Sequence, residues 1–390
     1  MSRDITDGID LSDEQREFVA LAKEFAAKEI RPRARAVDEA DTEAPMDLWA
    51  KAAEVGLASY MLPAEYGGGG ITDVVTQCLV QQELCYGDIG IANFLTSSSF
   101  FADPILALGS EAQKAKWITP LCGSTPPITS VAVTEPGVGS DAASLQTRAV
   151  RDGDEYVLNG QKTWISNAPM SKFFVVFATV DPTLRSRGIT AFLVERERDG
   201  VAVGAPMKKY GQRGTVNAEV FLQDVRVPVE NRLGEEGKGF YGLMHTFDTS
   251  RIIIGAAATG LSRAILDATV QYAHERTQFG KPIIEHQAVA FRLADMAAKT
   301  DVSHLVTMRA ARLYDAGKPS TAASAIAKLT ASENTTWVAN AGLMTHGGWG
   351  YSREFLVEKW LRDAKLEEIE EGTSDIQRLI ISRSLMGGRA

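Results

Sequence analysis

Cysteine is scarce in this 390-residue chain. Cys78, Cys85 and Cys122 form no C-x-x-C pair and stand beside no histidine cluster at zinc-ligand spacing, which argues against a disulfide framework and a structural metal. No metal is expected. Aromatic residues make up only 8%, and 41 Lys plus Arg face 50 Asp plus Glu for a net charge of -9. A broad basic surface is therefore absent and no nucleic acid is expected as a partner. Residues 1–19 lack the basic region and apolar run of a signal peptide, so a cytoplasmic protein is expected. The strongest apolar stretch, 252–261, contains glycines and falls well short of the roughly 20 residues that cross a bilayer. No membrane span is expected. The usual nucleotide fingerprints are also missing: Gly137-x-Gly139 has no third glycine, and the segment from Gly234 to Gly239 is not a Walker A loop. A nucleotide cofactor would have to be held in another way.

What is present is a composition that is 45% hydrophobic, enough for packed cores, in a length that corresponds to two or three domains at about 150 residues each. From residue 11 to about 121 the pattern is helical. Ser12 can cap a helix with Asp13 and Glu14 in its first turn, and helical spacing returns at 73–86 and 104–117. After Pro126-Pro127, short runs of β-branched and aromatic residues at 129–134, 148–151, 155–158, 162–166, 173–180, 189–194 and 219–227 read as strands. Asp152-Gly153-Asp154 and Asn159-Gly160 supply turn chemistry between them. Beyond Gly237 long helices are predicted over 239–276, 286–316, 320–346 and 374–386, packed as an antiparallel bundle. The order is α, then β, then α.

Four motifs carry chemistry. Thr134-Glu135-Pro136-Gly137-Val138-Gly139-Ser140-Asp141 follows a strand and can turn backbone N–H groups toward a flat heterocycle or a phosphate. Lys162-Thr163-Trp164-Ile165-Ser166 ends a strand with an aromatic face and a hydroxyl. Glu275-Arg276-Thr277-Gln278-Phe279-Gly280 closes a long helix with a cation. Taken singly, each is as readily an ordinary loop, a core tryptophan or a helix end. In Lys365-Leu366-Glu367-Glu368-Ile369-Glu370-Glu371-Gly372-Thr373-Ser374, Glu367, Glu368 and Glu370 read as a solvated acidic face, and Ser374 as the cap of the last helix. Glu371 differs because Gly372 follows it where the chain turns. There a desolvated carboxylate would rise from about 4.3 toward the range of a useful base.

In this order, Val133-Thr134-Glu135-Pro136 with Gly139-Ser140-Asp141, Asn159-Gly160-Gln161-Lys162 with Trp164-Ile165, Glu275-Arg276 with Phe279-Gly280, and Glu371-Gly372-Thr373-Ser374 resemble the FAD-dependent acyl-CoA dehydrogenase family over essentially the whole chain. The resemblance implies an α+β multidomain fold: an N-terminal helical domain (1–126), a middle β-barrel (127–236) and a C-terminal four-helix bundle (237–390). It implies oxidation of an acyl-CoA thioester to the trans-2-enoyl-CoA. Glu371 would take the α-proton and the flavin the β-hydride, with the Glu371 N–H among the donors to the thioester carbonyl. Val133, Thr134, Trp164 and Ser166 would touch the flavin; Arg276, Phe279, Gly347 and Gly348 would meet the FAD of a neighbouring subunit; Thr373 and Asp375 would lie near its adenosine or pyrophosphate. Ser140, Phe240, Met244, Asp248 and Arg251 match positions lining the CoA channel, Arg251 as a cation for that polyanion. Residues 91–99 border the acyl pocket by analogy. A homotetramer passing electrons to electron-transfer flavoprotein, in fatty-acid β-oxidation, completes the expectation.

Some positions depart from the family pattern. Met344 replaces a glutamine near the Gly-Gly turn, Gln278 stands where threonine is frequent, and Glu370 occupies a position often aromatic. Glu370 is expected to face solvent or an internal cation rather than Glu371. An acyl-CoA oxidase-like or other flavoenzyme on the same fold is the alternative; the ordinary length of the bundle and the retained Glu371 argue against it. A DNA-binding branch of the family would need a basic C-terminal extension, whereas the chain stops at Ala390. No arginine occurs between Arg35 and Arg148, which argues against a glutaryl-CoA substrate.

Overall fold

The Ser12 N–H donates to Gln15 Oε1 at 2.8 Å and the Gln15 N–H to Ser12 Oγ at 3.2 Å. This capping box starts α1 (Asp13–Phe25) in the computed structural model, which describes residues 5–6 and 9–387. Part of the 1–19 segment read for a signal peptide (residues 1–4 and 7–8) and residues 388–390, Ala390 among them, lie outside the described residues. The helical region continues through α2 (Ala34–Ala40), α3 (Met46–Glu54), α4 (Val74–Gly87), α5 (Ile89–Leu95), α6 (Ser97–Leu108) and α7 (Glu111–Ile118). The single helix predicted over 104–117 is two, because Ser110 forms a second capping box with Gln113 and restarts the chain after Gly109. Helix α4 is buried on almost every side. Its neighbour α8 (Gly239–Glu275) crosses it so closely that a Cβ on Gly260 would fall 2.3 Å from the Gln82 carbonyl oxygen.

The middle region is an eight-stranded sheet in the order β6-β7-β3-β2-β4-β5-β8, with β1 also paired to β4. Its strands are β1 (Thr129–Ala132), β2 (Arg148–Asp152), β3 (Glu155–Ser166), β4 (Phe173–Thr179), β5 (Ile189–Glu195), β6 (Val201–Val203), β7 (Asn217–Pro228) and β8 (Arg232–Leu233). Phe174, Val176 and Ala178 of β4 point into the sheet's own core, while Val175 and Phe177 pack against Phe101, Ile105 and Trp117 of the helical region. Burial on both faces explains the unbroken apolar run of that strand. Asn159-Gly160, expected as a turn, is instead an irregularity inside the long strand β3, where the register against β7 shifts. The Asn159 side chain exchanges hydrogen bonds with the Asp224 side chain and N–H at 3.0 and 2.9 Å, so cross-strand pairing overrides local turn chemistry.

After α8 come the two-residue strands β9 (Thr277–Gln278) and β10 (Lys281–Pro282), then α9 (Gln287–Asp315), α10 (Thr321–His346), α11 (Val357–Glu367) and α12 (Ser374–Leu385). Helices α8, α9, α10 and α12 form the four-helix bundle, and α4 packs onto it from the N-terminal region. By length and composition α8 could cross a membrane, which the short apolar stretch 252–261 understates. However, 67% of its most apolar window is buried among the other helices. Helix α11 was not predicted from the sequence, although Val357, Trp360 and Ala364 recur at helical spacing on its buried face; Lys359, Asp363 and Glu367 are buried with them.

Candidate functional site

The turn between α11 and α12 carries Glu371 at φ 53°, followed by Gly372 at φ 91°. A glutamate in the left-handed region is strained, and the turn is held by bonds from three directions. Lys328 Nζ of α10 donates to the Gly372 carbonyl at 3.0 Å, and Gln377 Nε2 donates to the same oxygen at 2.8 Å and to the Glu371 carbonyl at 3.2 Å. Thr373 rather than Ser374 caps α12, its hydroxyl accepting the Ile376 N–H. Ser374 is the first helical residue. The Glu371 carboxylate accepts from Ser250 Oγ of α8 at 2.8 Å. Burial raises its pKa, and Ser250, Arg251 and Lys328 only partly oppose that shift. Among the described residues the Glu371 N–H is given to no backbone acceptor.

The acidic run around it is not the solvated face expected. Glu367 is fully buried, its Oε1 accepting from Gln212 Nε2 at 2.5 Å, and burial beside Glu370 lifts its pKa well above the carboxylate range. Glu370 beside it is half-buried, with its Oε1 shielded from solvent. Burial and the neighbouring Glu371 push its pKa up to about 7, while Lys328 and Lys209 draw it down. Internal cations therefore do face Glu370, which is half-buried, and Glu371 is close enough to repel it. Glu367 Oε2 and Glu370 Oε1 are both buried without a hydrogen-bond partner. One proton shared between the two carboxyls satisfies both atoms. Only Glu368, half-buried and paired with Lys365 at 2.7 Å, fits the surface expectation.

Arg251 is also placed differently from the cation expected for CoA. It is 5% exposed, and its guanidinium reaches the Glu371 carbonyl at 3.4 Å, Asp248 at 3.4 Å and the Phe247 ring. It is thus too deep to meet phosphates and instead braces the Glu371 turn. Asp248 also accepts from Thr321 Oγ1 at 2.7 Å. Phe240 and Met244, half-buried on the same helix, pack with Phe101 and Ile105 of α6. Ser140 sits exposed on the loop after β1.

On the β-domain, Lys162 Nζ donates to the Val133 carbonyl at 2.9 Å and to Glu135 at 2.8 Å, and the Thr163 N–H donates to the Thr134 carbonyl at 2.9 Å. Glu135 in turn accepts the Gln146 and Thr147 N–H groups. This buried pair, with the Lys162 pKa lowered by burial to about 8, pins Val133 and Thr134 beside Trp164 and Ser166. Trp164 stands at φ 60° and is 56% exposed, so it offers a free aromatic face rather than a core contact. Asn217 Nδ2 donates to Ser166 Oγ at 3.1 Å and to the Trp164 carbonyl at 3.0 Å.

A third cluster lies at the far end of α8. Arg276, Gln278, Gly347, Gly348 and Trp349 line one cavity of about 600 Å³ that Trp164 and Glu371 do not line. His346 is buried there with Nδ1 against the Gly342 carbonyl at 2.8 Å, a structural role. Phe279, at φ 53° and 95% exposed, projects beside it. A cavity of mixed polar and apolar lining, flanked by glycine backbone, an arginine and exposed aromatics, fits a dinucleotide, and the free face of Trp164 fits a flavin ring. Met344 is largely exposed and Asp375 fully so, the latter paired to Arg378 at 3.5 Å. Ser250, Lys328 and Gln212 were not singled out in the sequence; each is a common residue type whose place is set by tertiary packing.

Comparison with known proteins gives matches along nearly the whole chain. Family profiles described as acyl-CoA dehydrogenase N-terminal, middle and C-terminal domain match residues 12–125, 130–225 and 237–386. The chain is 43% identical over 380 residues to "Probable acyl-CoA dehydrogenase YngJ" of Bacillus subtilis, covering 97% of this chain and 99% of that protein. It is 39% identical over 379 residues to cyclohex-1-ene-1-carbonyl-CoA dehydrogenase of Geobacter metallireducens, covering 96% and 99%. Among solved structures, butyryl-CoA dehydrogenase from Megasphaera elsdenii superposes with a TM-score of 0.93 at 36% identity, covering 97% and 99%. PigA with FAD and proline superposes with a TM-score of 0.92 at 29% identity, covering 97% and 99%.

Proposed function

Because the chain belongs to the acyl-CoA dehydrogenase family, oxidoreductases that bind FAD, we propose that it converts an acyl-CoA thioester to the trans-2-enoyl-CoA with Glu371 as the base. The observation that carries this is the Glu371 turn: a half-buried carboxylate of raised proton affinity, aimed by Ser250, with an unclaimed N–H beside it. The α-proton passes to that carboxylate, the β-hydrogen leaves with its electron pair, and a carbon–carbon double bond forms. FAD, when bound, supplies the acceptor for the hydride.

The protein's own groups do the rest. The Glu371 N–H is available to the thioester carbonyl as negative charge develops there, a contribution of about 3 kcal/mol in comparable sites. Lys328 and Gln377 hold the turn so that carboxylate and N–H keep their spacing. Phe240 and Met244, packed against α6, exclude water and with Ser140 and Asp248 line the way in for CoA. Val133, Thr134, Trp164 and Ser166 are assigned to the flavin. Thr373 and Asp375 are assigned to its nucleotide end, and Arg276, Phe279, Gly347 and Gly348 to the FAD of a second subunit. Supporting that last assignment, Phe279 and Tyr351 expose their rings almost fully beside the cavity, as residues awaiting a neighbour would. A homotetramer follows from this sharing. Electron-transfer flavoprotein as acceptor, a place in fatty-acid β-oxidation and a cytoplasmic site complete the proposal. Three unbridged cysteines, two of them buried, agree with a reducing compartment.

Anaerobic addition of acyl-CoA thioesters to the FAD-loaded protein tests it. Bleaching of the flavin with release of the enoyl thioester is expected, followed by reoxidation that is fast with electron-transfer flavoprotein and slow with oxygen. Prompt reoxidation by oxygen alone would favour the oxidase alternative, and no bleaching with any thioester would exclude both.

A further inference from the structure

Trp164 and Ser166, the two residues at the end of β3 assigned to the flavin, are held by one amide. Asn217 pairs with Ser166 across the β3–β7 ladder, and the register shifts just before this point, between Lys162 and Ile165. There Asn217 Nδ2 donates to the Trp164 carbonyl at 3.0 Å and to Ser166 Oγ at 3.1 Å. Both protons of that nitrogen are engaged. The backbone of Asn217 is fixed as well, since the Met207 N–H donates to its carbonyl at 2.8 Å.

Lys209 decides which end of that amide faces Ser166. Its Nζ donates to Asn217 Oδ1 at 2.7 Å, and its other bonds go to the Gln212 carbonyl at 2.9 Å, the Thr215 carbonyl at 2.7 Å and Thr215 Oγ1 at 2.9 Å. An ammonium only donates, so the Asn217 atom that meets it is the oxygen. Turned over, the amide would set its own N–H groups against the ammonium and its oxygen against the Trp164 carbonyl. Burial lowers the Lys209 pKa only to about 8, which leaves it charged at pH 7. The loop that carries it is anchored on α11, where the Gln212 N–H donates to Asp363 at 2.6 Å and Gln212 Nε2 to Glu367 at 2.5 Å.

Because Ser166 Oγ accepts from Asn217, its own proton is left for another acceptor, and among the described residues it donates to none. Ser166 and Trp164 are both exposed, on either side of buried Ile165. We propose that Lys209 and Asn217 are positioning residues of the flavin site, which together fix the Ser166 hydroxyl as a hydrogen-bond donor toward the flavin. The inference rests on the assignment of Ser166 to the flavin above and adds the two residues that set where its proton points. Nitrogen and carbonyl acceptors on a flavin edge suit such a proton, and a donor already aimed needs no reorientation when the ring binds.

The test is the dissociation constant for oxidised FAD, from titration of the full-length protein freed of flavin at pH 7, in double-mutant cycles with Ser166→Ala. Ser166→Ala should weaken FAD binding by about three- to tenfold, the weight of one hydrogen bond. Asn217→Leu and Lys209→Met should each weaken it by at least as much in the wild type, and by about threefold less in the Ser166→Ala background, where no hydroxyl is left to aim. Equal costs in the two backgrounds, as plain support of the Trp164 backbone or of the loop would give, overturn the proposal. Should Asn217→Leu or Lys209→Met fail to fold, Asn217→Asp takes its place in the cycle. Its carboxylate keeps the shape, accepts from Ser166 and turns the proton away, so the same coupling is expected and its absence overturns the proposal. If Ser166→Ala binds FAD as the wild type does, Ser166 does not meet the flavin and the proposal falls while the dehydrogenase reading stands. A wild type that takes up no FAD would fell both.

Discussion

Glu370 and Glu371 adjoin in sequence and lie half-buried side by side, so ionising one opposes ionising the other. Glu371 has Ser250, Arg251 and Lys328 to favour its charge and ionises first, though above the ordinary carboxylate range. Glu370 loses its proton later, at about pH 7, while Glu367, lifted well above the carboxylate range, keeps its own. That second charge strengthens Glu371 as a base, so the rate of flavin reduction should rise in two steps as pH increases. In Glu370→Gln the upper step should vanish and the profile should reach its plateau at lower pH, as measured by stopped-flow flavin absorbance across pH. A profile identical to wild type would place Glu370 outside the electrostatics of the site. At this scale the sequence was a partial guide. The glycine after Glu371 marks the turn, but four acidic residues within five positions carry no sign of which are buried. Burial is decided by Lys328, Gln212 and Lys209, which come from segments far away in the chain.

The elements that position the site are held by charges as well as by apolar packing. Lys359 of α11 lies between Asp88, which caps α5, and Asp363 one turn on, bonded to both and with all three buried. Replacing the cation strands two carboxylates. Lys359→Met should therefore destabilise the fold by about 3 to 5 kcal/mol, seen as a lower denaturant midpoint. A loss below about 1 kcal/mol would show the cluster to be dispensable. Helix α11 was missed although Val357, Trp360 and Ala364 form a short apolar stripe, because three buried charges interrupt it, whereas α8, α9, α10 and α12 were located to within a few residues by apolar stripes and glycine breaks. In the sheet, strands whose alternation or apolar run survives in one stretch were legible. The bulge at Asn159 was not, since it depends on Asp224 in a strand that arrives later in the chain.

At the level of the whole molecule, the α, β, α order was readable because each region has its own period and turn chemistry. The cavity near Gly347 was not, because it joins the end of α8 to the end of α10, and periodicity says nothing of how helix ends meet. Its exposed rim makes a prediction about assembly. Phe279→Ala should lower retained FAD and weaken subunit association together, by about 2 kcal/mol if the ring is an anchor at a subunit contact. Flavin content and gel filtration of the same sample check both. Loss of neither would detach Phe279 from the cofactor.

The central claim is that the intact, FAD-loaded protein begins its chemistry by giving the α-proton of a thioester to Glu371. The most direct measurement is the single-turnover rate of anaerobic flavin reduction by the best thioester, in wild type and in Glu371→Gln with equal flavin content. The account predicts a loss of about 100-fold to 10,000-fold in the variant, the usual weight of a general base. Reduction of the variant at the wild-type rate would contradict it.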